Sequence, residues 1–140
     1  MPRGKPMELA EWTRALAEES SMGAVIVVEG RRDEEALRAL GVEGDFEYAS
    51  RLLALLRCTP SYASGREFII LTDLDSEGEK LAMALKREIE QSGGRAETRL
   101  RGEYMRIPGR PPRIEELASA VLNEKEARRA RWKARQAHKH

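Results

Sequence analysis

The sequence predicts an α/β domain with a mostly parallel four-stranded sheet flanked by helices, including extra helices at both ends. Short β-branched apolar runs alternate with amphipathic helical patterns, and the connections between them are short. There is no internal repeat and no Gly/Ser linker. At 140 residues, with 41% hydrophobic and 35% charged residues, the chain can bury one core beneath a strongly ionic surface. We expect an N-terminal helix in residues 1–22, the sheet domain in 23–123, and a basic helix or tail in 124–140.

An amphipathic helix and a buried strand come first along the chain. Leu9, Trp12 and Leu16 recur at helical spacing, which predicts a helix over residues 7–19. The run AVIVV (Ala24–Val28) is β-branched, and its apolar residues do not alternate with polar ones. This composition is typical of a strand covered on both faces, as in a parallel sheet.

The later elements continue the alternation. The first strand stops at Glu29-Gly30, and a helix with acids from Asp33 in its first turn follows and ends at Gly41. Next come a weak strand over Asp45–Ala49, a helix through Leu52–Leu56 and a loop or broken turn over Pro60–Gly65. A strong strand over Phe68–Thr72 follows, and then a helix over Ser76–Gln91 that Gly93-Gly94 ends. The remaining elements are a last strand over Ala96–Leu100, a loop over 102–113 and a short helix over Ile114–Leu122.

The cysteine content and the hydropathy pattern indicate a cytoplasmic protein. A single cysteine, Cys58, excludes an internal disulfide and suits a reducing compartment. It lies in an apolar run, so we expect it to be buried. No stretch approaches the roughly 18 apolar residues of a membrane span, and residues 1–12 carry charges where a signal peptide would be apolar. We therefore expect no membrane partner.

Positive charge is concentrated at the C-terminal end. Arg supplies 19 of the 25 basic residues, which suits phosphate binding but equally a heat-adapted or high-GC source. Residues 124–140 hold seven Lys or Arg against two Glu, a charge of +5, so residues 1–123 carry −4. The segment is either a solvated helix end or frayed tail, or a basic arm that binds nucleic-acid phosphates while Trp132 stacks on a base.

Carboxylates follow the two strongest strands at the point where each ends. Glu29 follows the first, and Asp73 and Asp75 follow the second. In open α/β sheets, binding sites form at the carboxyl ends of strands, near the point where the strand order reverses. Asp73 and Asp75 are two residues apart, so on an extended backbone their side chains leave on the same side. Because such carboxylates repel unless a cation lies between them, their hard oxygens indicate Mg²⁺.

The helix that follows offers a structural alternative for these acids. Asp75 or Ser76 can cap the helix over residues 76–91 without binding a ligand. Glu77 is a further candidate ligand whose direction depends on where the helix begins, and Gly78 permits a close approach of backbone to ligand. The presence of acids at two strand ends favours a metal site over capping alone.

Two motifs resemble the Toprim domain: EGRRD (Glu29–Asp33) and TDLDSEGEKLA (Thr72–Ala82). That domain is shared by type IA and type II topoisomerases, bacterial primases, the 5S-rRNA maturation ribonuclease and overcoming-lysogeny-defect nucleases. DLDSEGE is similar to the DxDxEGE form of type IA topoisomerases, and EGRRD is similar to the EGxxD of the ribonuclease, which matches Asp33 to its following Asp. The resemblance covers residues 24 to about 100. RLRGEYMRI and RIEELA beyond it resemble the small stand-alone Toprim proteins found chiefly in archaea.

The resemblance implies a Rossmann-like Toprim fold over residues 23–123 and a role for each matching acid. Asp73 and Asp75 would hold Mg²⁺, with Mn²⁺ as a substitute and with Glu29 and Glu77 as further ligands. Glu29 would act as general acid or base in breaking or joining phosphodiester bonds, which suits a pKa raised by neighbouring acids.

Other parts of the related enzymes have no counterpart in these motifs. Topoisomerases supply a nucleophilic tyrosine from another domain, so we expect Tyr48, Tyr62 and Tyr104 to be packing residues. The maturation ribonuclease has its own C-terminal RNA-binding part, for which only the basic segment 124–140 could substitute here. His138 and His140 lie in that segment and look incidental.

The sequence thus predicts a Mg²⁺-dependent protein that processes nucleic acid, by phosphodiester hydrolysis on structured RNA rather than DNA. The alternatives are a non-catalytic RNA-binding module and a subunit of an RNA-processing complex. The predicted nucleic-acid contacts are Arg31 and Arg32 (or else surface ion pairs), Arg99 and Arg101 after the last strand, and Arg128, Arg129, Arg131, Trp132, Lys133 and Arg135 in the basic segment.

Overall fold

A four-stranded parallel sheet with helices on both faces forms the protein, as a computed structural model describes it for residues 4–137. The predicted α/β class is confirmed. The strands are β1 (Val25–Val28), β2 (Phe46–Tyr48), β3 (Glu67–Ile70) and β4 (Arg95–Glu97). The helices are α1 (Leu9–Ser21), α2 (Arg31–Ala39), α3 (Ala49–Cys58), α4 (Ser76–Gln91), α5 (Arg99–Met105) and α6 (Leu117–Ala137), with short 3-10 turns at Pro60–Ala63 and Ile114–Glu116.

The strand order determines where a site can form. Across the sheet the order is β2-β1-β3-β4, so the chain moves outward from β1 in one direction and then returns to add β3 on its other side. Ile26 pairs with Phe46 of β2 and with Ile69 of β3. The order therefore reverses between β1 and β3, and the crevice beyond their carboxyl ends is where open α/β sheets bind ligands.

The core has two layers because successive side chains of a strand point to opposite faces. Ile26 and Val28 of β1 pack with buried residues of α1, α2, α5 and α6, whereas Val25 and Val27 pack with those of α3 and α4. All four residues of β1 are buried, which confirms the prediction of a strand covered on both faces.

The first helix, α1, packs against α5 and α6 near the C-terminal end of the described chain. Leu9, Trp12 and Leu16 are buried as predicted, and the Trp12 indole N–H donates to the carbonyl of Leu100 at 2.7 Å. The backbone N–H groups of Leu9 and Ala10 donate to the Glu124 carboxylate of α6, each at 3.3 Å. Since the first N–H groups of a helix have no partner within it, this carboxylate caps α1 and fixes α6 against it.

The C-terminal third differs from the prediction. The last strand covers only Arg95–Glu97, and residues 99–105 of the predicted strand and loop form α5, because Leu100 and Tyr104 are four residues apart and bury one helical face. The predicted short helix is longer and continues through position 123 to Ala137. His138 and His140 lie outside the described residues.

Two smaller predictions concern single side chains. Cys58 is exposed at the end of α3, so the prediction that it is buried was wrong: the buried face of α3 is formed by Ala49, Leu52 and Leu56, and Cys58 lies beyond it. Tyr104 is a packing residue, as predicted, with its ring 4.9 Å from that of Trp12.

Within residues 4–137, no helix has the length and apolar character needed to cross a bilayer.

Candidate functional site

The ends of β1 and β3 bring the predicted acids together. Glu29 follows β1 directly, and its Oε2 accepts a hydrogen bond of 2.6 Å from the backbone N–H of Asp73, which lies just beyond β3. Glu29, Asp73 and Asp75 all line one open pocket of about 380 Å³. This pocket lies at the reversal of strand order, where the sequence analysis placed the site.

Backbone hydrogen bonds hold two of these carboxylates in place. Asp75 is the N-cap of α4, and its Oδ1 accepts from the Gly78 N–H at 2.7 Å, so the capping alternative is correct for this residue. Asp73 accepts through Oδ1 from the Ile114 N–H at 3.3 Å. In each case the bond engages Oδ1, and the second carboxylate oxygen remains as a potential ligand.

The pocket also contains charged residues beyond the three predicted acids. Asp33 is buried, and its Oδ2 accepts from the Gly30 N–H at 3.0 Å, which orients it at the start of α2. The remaining charged lining residues are Arg31, Arg32, Arg113 and Glu115. Positive groups thus stand directly beside the carboxylates, as a site for a phosphate next to a cation requires.

Burial raises the pKa of three acids at this site, Glu29, Asp33 and Asp73. Burial raises the pKa of Glu29, and the Asp73 and Asp75 carboxylates raise it further, against the hydrogen bond from the Asp73 N–H. Burial likewise raises the pKa of Asp73, with Asp75 and Glu115 adding to the rise and the hydrogen bond from the Ile114 N–H opposing it. The pKa of Asp33 is raised mainly by burial and then by Asp73. A bound cation would relieve this repulsion.

The donor chemistry of the pocket fits Mg²⁺. Within residues 4–137, no three Asp, Glu, His or Cys side chains are arranged so that together they could hold a metal ion. Mg²⁺ does not need such a cage, since it keeps several waters and is usually held by one or two carboxylates plus a substrate phosphate. Asp73 and Asp75 are the carboxylates on the β3–α4 connection that could hold it.

Glu77 does not line this pocket. Its side chain is 83% exposed on the first turn of α4 and lies 3.6 Å from the Lys80 ammonium group. The helix begins at Ser76, so Glu77 no longer follows the alternation that directs Asp73 and Asp75 to one side. The expected third acidic ligand is therefore not placed with the other two.

The segment before α6 carries residues that the sequence analysis missed. The carbonyl of Pro112 accepts from the Leu74 N–H at 3.0 Å, and the Tyr104 hydroxyl donates to the carbonyl of Pro111 at 2.5 Å. These bonds hold residues 111–114 against the Asp73–Asp75 connection and bring Arg113 and Glu115 into the pocket. The segment has no periodicity, and its one local signal is the Pro111-Pro112 pair directly before Arg113.

Arg101 occupies a different place from the one expected. It is buried, and its guanidinium donates to the carbonyls of Thr72 at 3.0 Å and Asp73 at 2.8 Å and to the Glu79 carboxylate at 2.7 Å. It therefore fixes the backbone that carries the acids and does not present its charge to a nucleic acid. Arg99 is exposed, with its guanidinium 3.8 Å from carboxylates of Glu19 and Glu97, outside the pocket lining.

The other predicted nucleic-acid contacts fall into three settings. Arg31 is on the pocket rim and pairs with Glu35 at 3.0 Å, so its ion-pair alternative holds in this structure. Arg32 lines both this pocket and a neighbouring one of about 770 Å³. Arg128 pairs with Glu8 and lies 3.7 Å from Glu124. The remaining predicted contacts are all exposed on the last turns of α6: Arg129, Arg131, Trp132, Lys133 and Arg135.

Comparison with known proteins identifies relatives over most of the chain. A UPF0292 protein of Methanosarcina barkeri is 38% identical over 71% of this chain and 69% of its own length. Another from Thermococcus sibiricus is 41% identical over 74% of this chain and 82% of its own length. The chain belongs to the UPF0292 family.

Two further comparisons complete this assignment. The UPF0292 protein of Methanocaldococcus jannaschii is 36% identical over 71% of this chain and 75% of its own length. A solved structure of a protein from Aquifex aeolicus superposes with a TM-score of 0.58 at 25% identity, covering 79% of this UPF0292 chain and 99% of that one. No family model matches the chain.

Proposed function

We propose that this UPF0292 protein is a Toprim-type protein that hydrolyses phosphodiester bonds in structured RNA with Mg²⁺. The observation that carries the proposal is the hydrogen bond of 2.6 Å between Glu29 and the Asp73 backbone at the strand-order reversal, with Asp75 in the same pocket. This juxtaposition of the residues in the EGRRD and DLDSEGE motifs supports the Toprim resemblance. Arginines on the same rim favour a polyanionic substrate.

Five residues of the pocket have roles in this reaction. Bound Mg²⁺ would supply charge neutralisation at the phosphate. Asp73 and Asp75 would hold it, and Arg32 and Arg113 would bind the neighbouring phosphate oxygens. The Glu29 carboxylate accepts a proton from the attacking water as the new P–O bond forms and the P–O bond to the leaving oxygen breaks. A carboxyl whose pKa is raised by burial is a better base than an ordinary one.

Cleavage of end-labelled structured RNA tests this proposal. The wild-type chain should produce fragments with Mg²⁺ and none with chelator, and the double variant Asp73→Asn/Asp75→Asn should produce none in either. Both amides keep an Oδ1 acceptor for their backbone partners, so the fold should persist. Glu77→Gln, outside the pocket, is the matched control and should cleave like the wild type. Cleavage by the double variant would refute the assignment.

A non-catalytic RNA-binding module is the second candidate. Two structural roles of the acids favour this candidate: Asp75 caps α4, and Glu29 joins β1 to the segment after β3 through its hydrogen bond with Asp73. In that case RNA would bind without Mg²⁺-dependent fragments, and the double variant would bind it at least as tightly because two negative charges near the phosphates are gone.

A further inference from the structure

The C-terminal helix α6 divides into two parts with different surroundings. Leu117 and Val121 are buried in the core, and Glu124 caps α1. From residue 129 onward, every residue to Ala137 is exposed except Gln136, which is half-buried. We call residues 129–137 the basic arm. Its helical form does not come from burial, but Ala130, Ala134 and Ala137 together with Arg and Lys are strong helix formers.

Among residues 4–137, the charges of the basic arm have no ion-pair partners. Arg128, directly before it, is engaged by Glu8 and Glu124. In the described part of the chain, no carboxylate lies within ion-pair distance of Arg129, Arg131, Lys133 or Arg135. Within residues 4–137, the ion pairs of α6 therefore end where the arm begins, and four cations there can meet a partner.

An aromatic ring lies among these cations. Trp132 is 55% exposed and lies three residues from both Arg129 and Arg135, so the three side chains form one stripe along the helix. The alanines of the arm lie on other parts of the helix surface. A large ring between two guanidinium groups suits a strand whose phosphates alternate with exposed base faces, because each base can stack on an aromatic side chain. A paired duplex hides those faces.

We propose that the basic arm binds an unpaired strand of RNA, with Trp132 stacked on a base and Arg129 and Arg135 on the flanking phosphates. The Glu124 cap on α1 fixes the direction in which the arm leaves the domain. The choice of RNA rests on the proposed function, and it makes the substrate a structured RNA that also carries a single-stranded segment.

Tryptophan fluorescence of the full chain tests the proposal, because the chain has two tryptophans and Trp12 is fully buried. All titrations use chelator, so that cleavage is excluded. Oligouridylate RNA should quench the fluorescence in a saturable manner, and a blunt RNA duplex of equal length should bind more weakly and quench less. Trp132→Ala lacks the reporting ring, so its affinity is measured by the anisotropy of end-labelled oligouridylate, alongside the wild type. The substitution should weaken binding roughly 5- to 150-fold, the range for loss of one stacked base.

Salt dependence tests the arginines. Arg129→Gln/Arg135→Gln should lower the slope of log affinity against log salt by about 1.4, since each single-strand phosphate contact contributes about 0.7. The matched control, Lys86→Gln/Arg87→Gln, removes two exposed charges from α4 and should leave the slope unchanged. The proposal would be overturned if the two double variants had equal salt slopes, or if Trp132→Ala kept the affinity of the wild type. It would also be overturned if the duplex quenched as strongly as oligouridylate, or if polyglutamate bound as tightly as oligouridylate.

The two proposals fail in different ways. If quenching and the salt slopes differ from expectation while Mg²⁺-dependent cleavage is intact, only the proposal for the basic arm is overturned. Quenching and salt slopes as expected, without any cleavage by the wild type, overturn the hydrolysis alone and leave the arm in place.

Discussion

A Cβ atom built on Gly78 would lie 2.0 Å from the carbonyl oxygen of Asp73. The space is this small because α4 begins directly beneath the turn that carries the acids. The Thr72 hydroxyl donates to the carbonyl of Gly78 at 2.7 Å, and the Gly78 N–H donates to Asp75. Side chains larger than hydrogen would push the first turn of α4 away from the connection that positions both aspartates.

Gly78→Ala should therefore destabilise the protein by about 1–3 kcal/mol, the usual cost of forcing an extra carbon into a packed position. Gly102→Ala is the matched control, because Gly102 lies within α5 with no atom within 4 Å of its added Cβ. That change should stabilise by roughly 0.5–1 kcal/mol through helix propensity. Urea denaturation of both variants measures the difference, and an equal effect of the two would contradict the close approach at Gly78.

The buried guanidinium of Arg101 supports the same connection from α5. Arg101→Gln removes hydrogen bonds to the carbonyls of Thr72 and Asp73 and should cost about 2–4 kcal/mol in the free energy of unfolding. Arg99→Gln on the same helix removes only exposed ion pairs and should cost less than about 1 kcal/mol. Chemical denaturation separates the two. A cost at Arg101 no larger than that at Arg99 would refute its supporting role.

The sequence predicted the sheet and its acids well because the signals were local. β1 and β3 are short β-branched runs, and helix Ser76–Gln91 has a cap at one end and glycines at the other, so its bounds were predicted correctly. The contacts that define the rest of the site are long-range. Ile114 reaches Asp73 across 41 positions, and Arg101 reaches Thr72 across 29. No local pattern distinguishes an arginine that folds inward from one that faces solvent.

Thermal stability provides a direct measure of metal binding at the pocket. A ligand that binds only the folded state stabilises it, by about 2.7 kcal/mol at one hundred times its dissociation constant. Mg²⁺ should therefore raise the Tm of the wild type and of Glu77→Gln, whose side chain lies outside the pocket. It should leave the Tm of Asp73→Asn/Asp75→Asn unchanged. An equal rise in the double variant would place the ion elsewhere on the protein.

The acids of the pocket also predict how stability depends on pH without metal. Burial raises the pKa of Asp73 and Glu29 in the folded state, so the folded chain retains protons there that the unfolded chain has released. Stability from these groups is complete below their ordinary pKa values of about 4 and falls as pH rises through the higher folded values. Asp73→Asn removes one such ionisation while keeping the acceptor for Ile114.

The free energy of unfolding of Asp73→Asn, measured relative to that of the wild type, should therefore increase as pH rises from about 4 towards neutrality. It should then level off. Urea titrations in chelator at a series of pH values measure this difference. A difference that is constant with pH would show that Asp73 ionises in the folded protein as it does in the unfolded chain. Saturating Mg²⁺ should reverse the sign near neutral pH, because the cation stabilises the ionised carboxylate that the asparagine variant lacks.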